Sequence, residues 1–293
     1  MASLPKPSTV LSYIFYLLPL YIFVGAPILR QIFPAPSDAG PLDTESPAAD
    51  LHLLDDSFIS REDGVPLNCP GGDDYRIHIL SREPLVMYIE DFLKDWEADH
   101  LVDMSVGNYT PSIIYDGVTE RIDRTKRDSD RALLRRDSVV RCIEERARAF
   151  QGWRPRLYIE RMWAQRYNVS GHYGYHYDWA GSAGRGGDRI STFMVYLADN
   201  CTGGGTHFPR LERPGGQRWC RFLECEGDDQ DTSASAKGIT FRPIKGNAIF
   251  WVNLRPDGSG YPETWHGAFP VSSGTKVGLN IWSWYQPPRR GAY

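Results

Sequence analysis

The sequence predicts a mainly β domain with flanking helices, an antiparallel double sheet buttressed by helix, preceded by an N-terminal membrane-anchor helix. Three observations predict it. Residues 10–29 carry no charged side chain, residues 33–70 are rich in Pro, Asp, Ser and Ala, and beyond residue 137 one helical period is followed only by strand-like runs. Helix first and strands afterwards favour a sheet pair with helices on one side over an alternating parallel α/β layout. A chain of 293 residues fits one such domain with an N-terminal extension, because sandwiches and barrels routinely use about 200–250 residues.

Taken in order, residues 1–33 form an N-terminal stub and signal-anchor helix. At about 1.5 Å per residue the apolar run 10–29 spans a hydrocarbon core of about 30 Å. Pro19 and Pro27 lie within it, and membrane helices tolerate proline. Lys6 precedes the run and Arg30 follows it; with the α-amino group this favours a cytosolic N-terminus and a lumenal remainder, in the endoplasmic reticulum. No small-x-small cleavage site follows, which favours an uncleaved anchor; a buried helix of the domain is the competing reading. Residues 34–74 read as a Pro/Asp-rich tether with too little apolar surface for a core. The domain proper takes residues 75–290. From Asp137 the positions Val139, Val140, Ile143, Ala147 and Phe150 mark an amphipathic helix, capped by Asp137 and stopped by Gly152. Strand-like runs follow at 157–167, 190–197, 240–241, 248–252 and 275–284. No internal repeat is present.

Composition limits the partners. The net charge is −4, so no broad basic field invites nucleic acid. Residues 121–128 are basic but laced with Asp and read as a solvated, mobile loop. Five cysteines leave at least one unpaired if all disulfides are internal. Cys220 and Cys225 suit a local bridge in an oxidising lumen, and the spacings lack the paired short intervals of a zinc site. Asn108, Asn168 and Asn200 open formal glycosylation acceptors.

The chemistry sits in the second half. His176 and Asp178 in Tyr175-His176-Tyr177-Asp178, with His266 in Thr264-Trp265-His266-Gly267, supply two imidazoles and one carboxylate, the ligand set of a non-haem Fe(II) site with open positions. On a strand, residues two apart share a face, so His-x-Asp can reach one metal. In the last run Lys276, Gly278, Asn280, Trp282 and Trp284 alternate with Val277, Leu279 and Ile281. One face therefore reads as core and the other as site. A lysine in an apolar strand calls for an anionic ligand or a buried carboxylate, unless that strand end is wet.

Together these segments resemble the prolyl 4-hydroxylase family of Fe(II)/2-oxoglutarate dioxygenases. The resemblance starts near Tyr75-Arg76-Ile77-His78 and Val86-Met87-Tyr88-Ile89 and is densest over 165–282. Gln165-Arg166-Tyr167, Tyr173 and His176-x-Asp178 are similar to the family's first metal segment. Arg189-Ile190-Ser191-Thr192 opens its next core strand, Gly203-Gly204-Gly205-Thr206-His207-Phe208-Pro209 resembles its Gly-Gly-Glu-Thr-x-Phe-Pro turn, and Ile244-Lys245-Gly246-Asn247 with the His266 and Lys276 pair completes the match. The resemblance implies a double-stranded β-helix (jelly-roll) core. It implies that His176, Asp178 and His266 hold Fe(II), and that Lys276, helped by Thr206 and Tyr167, binds the distal carboxylate of 2-oxoglutarate. O2 is then the oxidant and ascorbate a candidate accessory. Tyr173, Arg189 and Trp282 match positions on the substrate side, with aromatic core packing an equal reading for Tyr173 and Trp282. The 121–128 segment becomes a candidate substrate lid.

Two departures concern substrate rather than metal: Gly205 stands where the family often has Glu, and Val277 follows Lys276 where Trp is frequent. The expected activity is hydroxylation of a C–H bond, of a prolyl residue in a peptide or protein, with 2-oxoglutarate decarboxylated to succinate and CO2. The same chemistry on a small secondary metabolite is the alternative, and a non-catalytic cupin-like binding protein a remote one. Nucleic-acid demethylases of the superfamily usually anchor the cosubstrate with Arg, where this chain has Lys276. No partner subunit can be named from the sequence.

Overall fold

Residues 193–197 form an unbroken apolar run, the pattern of a strand covered on both faces, and Asp188–Ala198 is that strand, at the centre of the larger sheet. The structure, a computed structural model, describes residues 57–62, 64–71, 74–115, 119–183, 187–225 and 238–286. All of them fall in one unit, Leu53–Tyr293. The signal-anchor segment 1–33, most of the 34–74 tether and residues 287–290 lie outside the described residues. Among the described residues no helix is long and apolar enough to cross a membrane.

In chain order the elements are β1 (Ile59–Ser60), β2 (Arg76–Arg82), β3 (Leu85–Glu90), α1 (Asp95–Ser105), β4 (Thr110–Pro111), β5 (Ile114–Tyr115), β6 (Glu120–Arg121), β7 (Arg127–Asp128) and β8 (Asp130–Leu133). Then come α2 (Ser138–Phe150), β9 (Leu157–Glu160), β10 (Trp163–Tyr167), β11 (His172–His176), β12 (Asp188–Ala198), β13 (Cys201–Gly203) and β14 (Thr206–Phe208). The last are β15 (Ile239–Phe241), β16 (Ala248–Val252), β17 (His266–Ala268), β18 (Val271–Gly274) and β19 (Lys276–Tyr285). A 10-stranded sheet runs β2-β3-β16-β12-β19-β10-β8-β4, with β9 on β19 and β1 on β9; a 5-stranded sheet runs β15-β14-β17-β11-β7. The fold is thus mainly β with few helices, in agreement with the jelly-roll expectation.

Period two sorts the central strand between two cores. Phe193, Val195 and Leu197 join Ala98 and Leu101 of α1 and Val140, Ile143 and Ala147 of α2. The alternate positions Met194 and Tyr196 join Phe208 and Phe241 of the smaller sheet. The amphipathic pattern of α2 is what covers the outer face. The Asp137 carboxylate accepts the Val140 N–H at 3.0 Å, which satisfies one of the helix's free donors and contributes about 1 kcal/mol. Gly152, at φ 73°, takes the left-handed turn that ends the helix. The two helices are locked by a buried ion pair, Arg146 to Glu97 at 2.7 Å, with Arg146 also donating to the Phe92 carbonyl at 2.7 Å.

Two expectations need correction. Residues 57–71, assigned by composition to the tether, belong to the folded unit: Ile59 pairs with Glu160, and Cys69 is bonded to Cys142 of α2. A two-residue strand and a long-range disulfide leave no compositional trace. The 121–128 segment is not wholly a solvated loop, since Arg127 is 8% exposed and β7 pairs with β11. The Cys220–Cys225 bridge is present as expected and Cys201 is a free thiol.

The Cys69–Cys142 link spans 73 residues of sequence, a loop whose closure in the unfolded chain corresponds to about 4 kcal/mol. Cys142→Ser is expected to lower the melting temperature by roughly 10 °C for a domain of this size. Calorimetry showing an unchanged melting point would mean that the amino-terminal segment adds nothing to stability.

Candidate active site

Strands β11 and β17 pair antiparallel with His176 opposite His266, which puts the two imidazoles side by side with centroids 4.3 Å apart. Asp178, just past β11, keeps the strand's alternation and turns to the same side. Its Oδ1 lies 3.7 Å from His176 Nε2 and its Oδ2 3.9 Å from His266 Nε2. All three ligand atoms fall within 4.8 Å of one another, close enough to converge on one ion.

Local backbone sets the imidazoles for that task. His176 Nδ1 faces the Gly174 carbonyl at 2.9 Å, and His266 Nδ1 faces the Thr264 carbonyl at 2.9 Å. A carbonyl can only accept, so each Nδ1 donates and each Nε2 keeps its lone pair for the centre. Burial, reinforced by His266, pushes His176 down to about 3. Burial works to raise Asp178, but His266, His176, Arg189 and the Thr192 hydroxyl hold it below its ordinary value. A neutral imidazole and an ionised carboxylate are the ligating forms.

Behind Asp178 runs a buried relay that sequence reasoning missed. The Thr192 hydroxyl donates to Asp178 Oδ2 at 2.8 Å, Asn253 Nδ2 donates to Thr192 at 2.9 Å, and Trp251 Nε1 donates to Asn253 Oδ1 at 2.8 Å. Thr192 and Asn253 are fully buried. Their signal was the polar residue inside, and the one just beyond, two apolar strands. The Trp251 ring meets His266 edge-on at 4.9 Å, while Phe208 stacks on it at 5.2 Å.

Lys276 opens β19 directly opposite Tyr167 of β10 and is fully buried. Its Nζ donates to the Gly204 carbonyl at 2.6 Å and lies 5.1 Å from the Tyr167 ring centroid and 5.4 Å from that of Tyr196. Among the described residues no carboxylate meets it, and burial pushes it down to about 8. Gly204, at φ 71°, is needed here, because a Cβ would sit 3.2 Å from Lys276 Cδ. Thr206 accepts from the Tyr196 hydroxyl at 2.9 Å, and Tyr167 donates to Gln165 at 3.1 Å. The missing Glu at 205 has a spatial reason: a Cβ there would fall 2.4 Å from Thr240 Cγ2 and 2.8 Å from Glu224 Oε1.

A cavity of about 400 Å³ opens onto His176 and Asp178 and is walled by Tyr173, Arg189 and Trp282. Arg189 donates Nε and Nη2 to the Glu160 carboxylate at 2.7 and 2.8 Å, and its guanidinium lies 3.7 Å over Trp282. Tyr173 stacks on His176 at 3.7 Å. Lys276, Thr206 and Tyr167 are enclosed and lie off this wall. The donor set suits Fe(II), and the unmatched Lys276 suits a carboxylate.

The family model of the 2OG-Fe(II) oxygenase superfamily matches residues 162–284. Prolyl 4-hydroxylase 5 of Arabidopsis thaliana is 30% identical over 220 residues, 72% of this chain and 72% of the relative. Prolyl 4-hydroxylase 2 of the same plant is 29% identical over 213 residues, 71% of this chain and 69% of the relative. The crystal structure of a viral collagen prolyl hydroxylase from Paramecium Bursaria Chlorella virus-1, a 2OG complex, aligns at TM-score 0.49 and 23% identity, covering 74% of this chain and 98% of that one.

Because Thr192 orients Asp178, Thr192→Val is expected to weaken Fe(II) binding by about 10- to 100-fold. Anaerobic metal titration checks this; wild-type affinity would remove Thr192 from the site.

Proposed function

The chain belongs to the prolyl 4-hydroxylase family of 2OG-Fe(II) oxygenases, and from that premise we propose that it hydroxylates a prolyl residue within a peptide or protein. It is an enzyme whose cofactors are Fe(II) and 2-oxoglutarate. The observation that carries the reading is the pairing of a converged His176, Asp178 and His266 set with the uncompensated Lys276. When bound, iron, O2 and 2-oxoglutarate supply the oxidation, with the cosubstrate leaving as succinate and CO2.

The chain's own residues do the positioning. His176, Asp178 and His266 would hold the iron through their converging ligand atoms. Lys276 offers its ammonium to the distal carboxylate of 2-oxoglutarate, with the Tyr167 and Thr206 hydroxyls beside it. Tyr173, Arg189 and Trp282 wall the substrate side. There Arg189 is fixed by Glu160 and by the indole beneath it, so the wall is rigid and partly apolar, which helps exclude water.

His176→Ala, Asp178→Ala and His266→Ala are each expected to abolish succinate formation. Lys276→Ala should raise the KM for 2-oxoglutarate about tenfold or more while iron affinity holds. In the native enzyme the same KM should rise as pH passes about 8, where free Lys276 loses its proton. Hydroxyproline in a peptide product supports the prolyl reading. Turnover confined to small metabolites replaces it, and wild-type activity in any ligand variant overturns the metal assignment.

The proposed location is the endoplasmic reticulum, with residues 10–29 as anchor and the catalytic domain in the lumen. The uncharged run and two disulfides support it. Asn108 is exposed beside exposed Thr110 of its acceptor triplet, so lumenal folding should leave a glycan there. Membrane fractionation with carbonate washing, and a mobility shift on glycosidase treatment, check both points; a full-length protein recovered from the cytosol, unglycosylated, sinks the placement.

A further inference from the structure

The cavity beside the metal ligands is lined by four arginines against three carboxylates. Among its walls Arg189 is neutralised by Glu160, and Asp178 faces the two histidines. Arg127 and Arg131, on the consecutive strands β7 and β8, are different. Arg127 is 8% exposed; it donates to the Ser129 hydroxyl at 3.2 Å and the Ile113 carbonyl at 3.3 Å, with its guanidinium 4.4 Å over Tyr173. Arg131 lies 4.3 Å over Trp163, and its buried Nε has no hydrogen-bond partner. Among the described residues neither has an ion pair; the exposed Glu120 is the one other acid lining the cavity.

One buried guanidinium beside a half-buried one, each repelling the other, is costly unless an anion joins them. The cosubstrate would not serve, since its distal carboxylate is assigned to Lys276, which lies off this wall. Resting on the prolyl reading above, we propose that Arg127 and Arg131 form a carboxylate-recognition subsite, and that the substrate peptide carries an Asp or Glu side chain close to the target proline. Trp163 and Tyr173 hold the two guanidinium planes in place, so recognition costs little ordering.

The test uses one proline-containing peptide with Glu, Gln or Lys at each neighbouring position in turn. Succinate formation is measured together with anaerobic calorimetric binding to the Fe(II)-loaded enzyme. At one position Glu should exceed Gln by roughly tenfold or more in kcat/KM and in affinity, with Lys weaker still. Arg131→Met should erase the Glu preference and Arg131→Lys restore part of it, with melting curves confirming that both variants fold. Equal use of Glu and Gln peptides at every position overturns the subsite while leaving prolyl hydroxylation standing. A rise in the 2-oxoglutarate KM of Arg131→Met without loss of Glu preference likewise overturns it. Turnover of no peptide removes the prolyl reading and this proposal with it.

Discussion

The molecule depends on keeping the central sheet dry on both faces. Once β12 is covered by α1 and α2 outside and by the smaller sheet inside, every polar group it carries inward has to find a partner there or pay the desolvation cost. Thr192 meets Asp178 and Asn253, and Tyr196 meets Thr206. The site is therefore assembled from the few polar side chains that the dry interior admits. Its rigidity follows from the packing around them, since a dense apolar surround leaves each hydrogen bond without a competing water.

Charge follows the same rule with a different outcome. Where a cation belongs to the architecture it is paired, as Arg146 is with Glu97 and Arg189 with Glu160. Lys276, enclosed against the Gly204 carbonyl, and Arg127 and Arg131, on the cavity wall, have no ion pair among the described residues. The contrast separates cations that build the fold from cations that await something.

Much of this was legible beforehand. The alternation in β19 was readable: Val277, Leu279 and Ile281 are core as the period required and Trp282 lines the cavity, whereas Lys276 is enclosed and lies off that wall. The cap at Asp137 and the stop at Gly152 were readable because capping is local chemistry. The Thr192 relay, the Cys69 to Cys142 link and the burial of Arg127 were not. Each depends on a partner distant in sequence, and Arg127 sat in a run whose mixed charges look alike in solvent or under a strand. Gly205 was visible as a departure, but only the approach of Thr240 and Glu224 explains why no side chain fits there.

The Thr192 hydroxyl also decides how many oxygens Asp178 can lend. With Oδ2 already accepting at 2.8 Å, one of its lone pairs is committed away from the centre, and Oδ1 is left as the stronger donor. That bias would favour the carboxylate as a single-oxygen ligand rather than a chelating one. The hydroxyl that would set this preference comes from β12 of the larger sheet, whereas Asp178 follows β11 of the smaller one.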